Sequence, residues 1–305
     1  SHALEQKRLD GVRFDAVVFT NLSQDHLDYH SDMAAYFRAK AHLINLMKEE
    51  GCVVVNADEA HWKDLPIQGR RTVTYGIDEV ADVRAEGIEP GSSGTRFRMG
   101  GAEGEVDVEL PLIGRFNVEN CLAAAGVGAI AGMSLEAVAD RLASVPQIPG
   151  RLEVVARNPF TVMIDFAHTP DGLRRVLTTM RPLTSGRLIV VFGAGGDRDR
   201  GKRPEMARAV AQVADVVVIT SDNPRTEDPE SIIDDIVPGM NGSPFERLAD
   251  RREAIGYALA QGRSEDLVLL AGKGHERYQV IGTESHPFDE RLIVAEQLGR
   301  MGEVA

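Results

Sequence analysis

The sequence predicts an α/β protein of two domains, the second a Rossmann-like fold with a mostly parallel sheet. Three observations carry this. Between residues 161 and 271, short apolar runs alternate with amphipathic stretches, the rhythm of strands linked by helices on both faces of a sheet. Residues 71–113 instead hold short segments separated by glycine and acidic residues, a hairpin pattern. Between them, Val145-Pro146-Gln147-Ile148-Pro149-Gly150 sets two prolines and a glycine in a short stretch, which blocks helix and central strand alike. This linker divides the chain into domains 1–145 and 146–305, a partition that suits a length of 305 residues.

Taken in order, residues 14–20 (FDAVVFT) read as a buried strand, 33–48 as a helix from their apolar spacing, and 52–55 as a returning strand. Segments 72–75, 83–88, 95–99 and 106–112 are expected to pair antiparallel. Residues 116–130 form an alanine- and glycine-rich helix, and Ser134 caps a second over 135–143. In the second domain the strands fall at 161–166, 188–192, 216–220 and 267–271. The helices fall at 172–180, 204–213, 230–236 and 251–261.

Hydrophobic residues make up 43% of the chain, enough for real cores, and the net charge is −13. That balance argues against nucleic acid or a membrane surface as partner. No run approaches the ~20 apolar residues that span a bilayer, and no signal peptide is visible. Cys52 and Cys121 lie in apolar surroundings without metal-type spacing, as reduced cysteines of a cytoplasmic protein do. The chain opens on Ser1-His2-Ala3-Leu4 without methionine and is expected to be part of a longer one.

The chemistry concentrates where strands end, the edge at which open α/β sheets bind ligands. Asp222-Asn223-Pro224-Arg225 follows the apolar run 216–220. Taken alone it is an ordinary turn, yet it presents a carboxylate, an amide and a guanidinium together, a set that suits a small zwitterion. After residues 188–192 comes Gly193-Ala194-Gly195-Gly196-Asp197-Arg198-Asp199-Arg200-Gly201-Lys202-Arg203-Pro204. Its charged interior departs from a dinucleotide fingerprint. The crowding of Arg198, Arg200, Lys202 and Arg203 in an acidic chain suggests an anionic ligand, with Arg198 as its contact, and Pro204 reads as the first residue of the next helix. Gly272-Lys273-Gly274-His275-Glu276 closes a further strand; its glycines admit a ligand close to the backbone, and Glu276 adds a carboxylate.

In the first domain His26 follows a strand and Lys40 lies on the next helix. A lysine there is usually a solvated face. Buried beside His26, its amine is pushed toward neutrality and can take up carbon dioxide as a carbamate, an oxygen ligand suited to Mg²⁺. Gly114-Arg115-Phe116-Asn117-Val118-Glu119-Asn120, Gly150-Arg151 and Asp165-Phe166-Ala167-His168-Thr169-Pro170 are caps or turns by default, and together would flank an interdomain cleft.

As a set, FTNLSQDHLDYH with YFRAK, GRFNVENCLAA, IPGRLE, DFAHTPD, GAGGDRDRGKRP, DNPR and AGKGHE resemble the Mur ligases, in the order found in that family and over essentially the whole chain. The resemblance implies the C-terminal part of a central ATP-binding domain followed by an amino-acid substrate domain. The implied activity is ATP- and Mg²⁺-dependent amide-bond formation in peptidoglycan precursor synthesis, through an acyl phosphate, by a monomer. The substrates are UDP-N-acetylmuramoyl-L-alanyl-D-glutamate and, from DNPR, meso-2,6-diaminopimelate rather than lysine. By position, Lys40 resembles the family's carbamylated lysine and His26 the histidine near its metal, and both are implied as catalytic. Ser1, Gln6 and Arg8 resemble contacts to the nucleotide-sugar substrate, and Asn120, Arg151, Asp165 and His168 contacts to ATP. Arg198, Asp222, Asn223, Pro224, Arg225, Gly272 and Glu276 resemble the diaminopimelate pocket. One departure is plain: the family's phosphate loop (GxxGKT/S) and its preceding uridine-binding domain would lie upstream of Ser1. This chain alone is therefore expected not to turn over ATP.

Overall fold

Apolar runs without alternation become the central strands of this chain, because helices or other elements cover both of their faces. The computed structural model describes residues 1–23 and 29–304, which form two compact units divided between Pro146 and Gln147.

The first unit contains α1 (His2–Glu5), β1 (Phe14–Phe19), α2 (Met33–Ala41), β2 (Met47–Asn56), β3 (Arg71–Gly76), β4 (Val83–Gly91), β5 (Gly94–Gly101), β6 (Gly104–Leu110), α3 (Arg115–Ile130) and α4 (Leu135–Ala143). The strands lie side by side in chain order. Pairs β1–β2 and β2–β3 are parallel, and β4–β5–β6 is an antiparallel meander. The small residues of α3 let it approach the sheet closely: a Cβ on Gly126 would sit 2.8 Å from Val54 Cγ1. Val118 and Leu122 of α3 thereby join Val54, Tyr75, Ala85, Met99 and Leu142 of α4 in one core. Val17, Phe19, Tyr36, Val53 and Trp62 fill a second.

Two expectations change here. The helix expected over 33–48 ends at Ala41; a 3₁₀ turn (His42–Leu46) follows, and β2 starts at Met47. Helical spacing persists past Ala41, but Met47 pairs with Phe14 across the sheet, and that pairing overrides the local period. Strand 72–75, expected antiparallel, runs parallel to β2. Residues 57–70 include a 3₁₀ turn (Ala60–Asp64) and carry the chain back over the sheet before β3 begins, as a parallel pair requires.

The second unit contains β7 (Glu153–Ala156), β8 (Thr161–Asp165), α5 (Pro170–Met180), β9 (Leu188–Phe192), α6 (Lys202–Ala211), β10 (Val216–Ile219), α7 (Pro229–Ile236), β11 (Glu246–Arg247), α8 (Arg251–Gln261), β12 (Leu267–Ala271), β13 (Tyr278–Ile281), β14 (Glu284–Pro287) and α9 (Glu290–Val304). Its main sheet has the order β11-β10-β9-β12-β8-β7, parallel except for β7. Every residue of β9 and β12 is buried. Side-chain caps start α5, α7 and α8. Thr169 accepts from Gly172 N–H, Asp228 from Ser231 N–H, and Asp250 from the N–H groups of Arg252 and Glu253, each cap worth about 1 kcal/mol. The chain winds from β9 through β10 to β11, then returns to insert β12 between β9 and β8. That reversal gathers four strand ends where α/β sheets open a ligand crevice.

Pro204, expected to open its helix, is the third residue of α6, which starts at Lys202. A first-turn N–H has no partner within the helix, so proline is tolerated there. Strands β7 and β11, the β13–β14 hairpin and α9 were not foreseen. Both cysteines are free and buried, and burial pushes the Cys121 thiol up to about 12, which leaves it inert. Among the described residues no helix is long and apolar enough to cross a membrane.

Candidate active site

Beyond β10, buried Thr220 and Ser221 lead into Asp222, which is only 7% exposed. No described residue donates a hydrogen bond to its carboxylate. Gly272, just past β12, has φ +118°, and a Cβ there would lie 2.5 Å from Asp222 Oδ2; glycine lets the two strand-end loops meet. Asn223 is spent internally. Its Oδ1 accepts from Lys273 Nζ (3.1 Å) and Val280 N–H (2.9 Å), and its Nδ2 donates to Glu276 Oε2 (2.9 Å). The latter oxygen also accepts from Lys273 Nζ (3.2 Å), and Oε1 of Glu276 takes no hydrogen bond from a described residue.

Arg225 occupies a left-handed conformation, φ 52°. The β13–β14 hairpin holds it there: Arg225 N–H donates to Val280 C=O (3.0 Å), and its C=O accepts from Gly282 N–H (2.6 Å). Gln279 adds a bond to the Asp222 carbonyl (2.7 Å). Arg225 Nη1 donates to Gly196 C=O (2.7 Å). Burial, and then the nearby charge of Arg198, hold its guanidinium below its ordinary pKa. Two guanidinia that disfavour one another call for an anion, and two carboxylates with unclaimed oxygens call for a cation. Together these charges are complementary to those of a small zwitterion.

The glycine-rich loop after β9 has a different purpose from a pyrophosphate cradle. A Cβ on Gly193 would fall 2.2 Å from the Thr220 carbonyl oxygen, and one on Gly196 1.9 Å from that of Pro224, so these glycines let the loop lie against the β10 loop. The basic cluster divides. Arg198, exposed, donates to the Asp197 carbonyl (2.9 Å) and stays beside Arg225. Arg200 and fully buried Arg203 do not address an external anion as expected. Arg203 binds Glu227 (2.7 Å) and Asp235 (2.8 Å), and Arg200 binds Asp235 (2.9 Å). These bonds join the β9 and β10 loops to α7.

The hydrogen bond from Arg203, helped by the Asp197 amide and opposed by burial, holds the Glu227 carboxyl down at about 2. A carboxylate depressed below its unfolded value contributes stability above pH ~4.5 that is lost as pH falls toward 2. Urea midpoints followed by circular dichroism should fall over that window, and Glu227→Gln should flatten the fall. An unchanged acid limb in the variant would remove Glu227 as its source.

At the end of β8, Asp165 is buried, and its two oxygens accept from Leu152 N–H (2.8 Å) and Ala167 N–H (2.7 Å). Burial nonetheless pushes its carboxyl above the ordinary range. With both oxygens occupied, it shapes the loop that carries His168. The Arg151 guanidinium lies 4.8 Å from the Phe166 ring centroid. His168 and His275 meet the same ring at 4.6 and 5.3 Å, and His168 Nδ1 bonds the Phe166 carbonyl (2.8 Å).

In the first unit, Ser1 precedes α1 without a side-chain cap bond to it, and its Oγ meets His30 Nε2 at 2.9 Å. Arg8, in the turn after α1, is exposed. Gln6 ends α1 and is exposed. Lys40, in the last turn of α2, is half-buried with Nζ 5.0 Å from the Tyr36 ring centroid. Asn120 is exposed on α3. His26 lies outside the described residues. Among those residues no group of three His, Cys, Asp or Glu side chains could hold a metal.

Sequence reasoning missed three buried supports: Lys273, and the pair of Arg251 with Glu290. Arg251 Nε donates to Glu290 Oε1 (2.7 Å), while Nη2 and Nη1 reach the carbonyls of Ala271 (2.9 Å) and Ser221 (3.4 Å). The one available signal was the apolar spacing of Ile293, Val294 and Leu298, which marks a final helix with Glu290 at its start.

Two family models match the chain: the Mur ligase middle domain over residues 1–128, and the Mur ligase glutamate ligase domain over 150–274. A curated relative from Gloeobacter violaceus is named UDP-N-acetylmuramoyl-L-alanyl-D-glutamate--2,6-diaminopimelate ligase. It is 46% identical over 304 residues, covering 98% of this chain and 62% of the relative. A Bacillus cereus protein of the same name is 42% identical over 310 residues, covering 99% and 63%. A solved structure of a ligase with that name aligns with TM-score 0.61 at 40% identity, over 99% of this chain and 63% of the other. MurF from Acinetobacter baumannii aligns with TM-score 0.72 at 18% identity, over 93% and 60%, a likeness of fold. The chain thus spans about three fifths of the length of the curated relatives it matches.

Proposed function

The chain belongs to the Mur ligase family, and from that premise we propose that its protein joins meso-2,6-diaminopimelate to UDP-N-acetylmuramoyl-L-alanyl-D-glutamate in an ATP-dependent reaction. The observation that carries the reading is the pairing of Asp222, buried with no hydrogen-bond donor to its carboxylate among the described residues, with the adjacent guanidinia of Arg225 and Arg198. A diamino acid with a carboxylate at each end meets both needs.

In this reading a D-glutamate carboxylate oxygen attacks the γ-phosphorus of ATP and ADP leaves. The neutral amine of diaminopimelate then attacks the acyl phosphate, and phosphate departs as the amine loses its proton. Asp222 and Glu276 hold the ammonium of the far end, and Arg225 with Arg198 holds its carboxylate. Asn223 and Pro224 keep Arg225 in place, and Gly272 leaves room beside Asp222. Arg151, His168 and Asn120 serve ATP, with Asp165 shaping the loop. Ser1, Gln6 and Arg8 face the nucleotide-sugar substrate.

Mg²⁺, when bound, neutralises charge on the phosphates. A carbamate on half-buried Lys40, with His26, gives this chain few donors of its own. That fits a small, oxygen-seeking cation that keeps phosphate and water ligands. Such an enzyme works as a cytoplasmic monomer on small-molecule substrates.

The test is phosphate release from ATP by the full-length protein with the UDP-muramoyl dipeptide, comparing meso-diaminopimelate with L-lysine. Release with diaminopimelate alone is expected. Release with lysine instead would overturn the assignment of Arg225, and release with neither would overturn the ligase reading.

A further inference from the structure

Lys273 has no exposed surface. Its ammonium is surrounded by Asn223 Oδ1 at 3.1 Å, Glu276 Oε2 at 3.2 Å and the Phe288 ring, whose centroid is 5.9 Å away. A buried ammonium is costly unless its hydrogen bonds are met, so these partners are obligatory for it. Both polar ones are site residues. Asn223 Nδ2 also donates to Glu276 Oε2 at 2.9 Å, which closes a three-membered ring of Lys273, Asn223 and Glu276.

This ring has two consequences. It settles the amide of Asn223: Oδ1 must face Lys273 and Val280 N–H, leaving Nδ2 for Glu276. It also occupies one oxygen of Glu276 with two donors, so the unclaimed oxygen is Oε1. Without the ammonium, one of the donors that select Oε2 is lost and the carboxylate can rotate about its terminal torsion, a soft two-fold coordinate.

We propose that Lys273 is a positioning residue of the amino-acid site. It acts through Glu276, by fixing which carboxylate oxygen meets the ammonium of the incoming diamino acid. The inference deepens the ligase reading and rests on it. Lys273 is not a phosphate ligand, because its charge is fully enclosed by protein. Misplacement of a ligand group by an ångström costs up to about 10²-fold, which sets the scale of the effect.

The test is a double-mutant cycle in the full-length enzyme, using Lys273→Met, Glu276→Gln and the double variant. KM is read separately for meso-diaminopimelate, ATP and the UDP-muramoyl dipeptide. Lys273→Met should raise KM for diaminopimelate about 10–100-fold and leave the other two within about twofold. The double variant should be no worse than Glu276→Gln alone, since a residue acting through another adds nothing once that one is gone. Multiplicative losses in the double variant, or equal rises in all three KM values, would overturn the proposal and leave Lys273 as general support. If Lys273→Met fails to fold, the comparison of Glu276→Gln with the double variant decides alone, because the double variant removes both charges of the pair together. Wild-type enzyme that shows no diaminopimelate-dependent phosphate release would instead overturn the functional reading, and this inference with it.

Discussion

Replacing Arg225 by glycine should lower kcat/KM for meso-diaminopimelate about 10²–10³-fold while leaving the slow turnover of L-lysine where it stood. Truncating one partner of a buried, hydrogen-bonded charge pair costs about 2–5 kcal/mol, and each 1.4 kcal/mol is tenfold. Lysine has no distal carboxylate, so it loses nothing when the guanidinium goes. In the wild type it leaves Arg225 and Arg198 without their anion, which is the basis of discrimination. Arg225 sits at φ 52°, a left-handed conformation that costs any residue with a Cβ about 1–2 kcal/mol, so glycine removes the side chain and leaves a residue that adopts the turn without that cost. Glycine also keeps the N–H and C=O that pair with Val280 and Gly282. Steady-state kinetics with both amines checks the prediction. Equal losses for the two would show that Arg225 supports the loop without reading the far carboxylate.

Much of this architecture is legible in the sequence, for a definite physical reason. Strands β9, β10 and β12 are unbroken apolar runs and β8 has an apolar centre, the loops after them carry the turn residues, and Pro146 with Pro149 marks the junction. Those signals are local. The β9 loop reads in sequence as a glycine-rich loop for an anion, but the partner that its Gly196 needs room for is the carbonyl of Pro224, which no local signal announces. Arg200 and Arg203 read as ligand cations because their counter-charges, Glu227 and Asp235, lie 24 to 35 residues further on. The β13–β14 hairpin, which holds Arg225 in its left-handed conformation, consists of half-buried and exposed residues and gives no apolar pattern to read. Residue types at the site could therefore be named from sequence, whereas the supports that orient them depend on pairings distant in the chain.

The largest effect on stability should come from Arg251, a helix residue with no direct part in the proposed chemistry. Arg251 and Glu290 are both essentially without exposed surface and join the first residues of α8 and α9 behind the sheet edge. Arg251 also caps the carbonyls of Ser221 and Ala271, the residues that lead into Asp222 and Gly272. Arg251→Met should destabilise the second unit by about 3–5 kcal/mol, because it strands a buried carboxylate. Glu290 begins with little reserve, since its Oε2 already lacks a partner. Adding Glu290→Leu should recover most of that loss, as a buried pair exchanged for apolar side chains is often neutral. The recovered protein should still bind diaminopimelate more weakly than wild type, because nothing then holds the two carbonyls in register. Amide exchange in β10 and β12 reports the stability of this unit by itself, and calorimetric titration reports binding. If the double variant is no more stable than Arg251→Met, the carbonyl caps rather than the ion pair carry the energy. If it binds diaminopimelate as wild type does, the strand-end loops keep their spacing without Arg251, and the site is held by the hairpin and Lys273 alone.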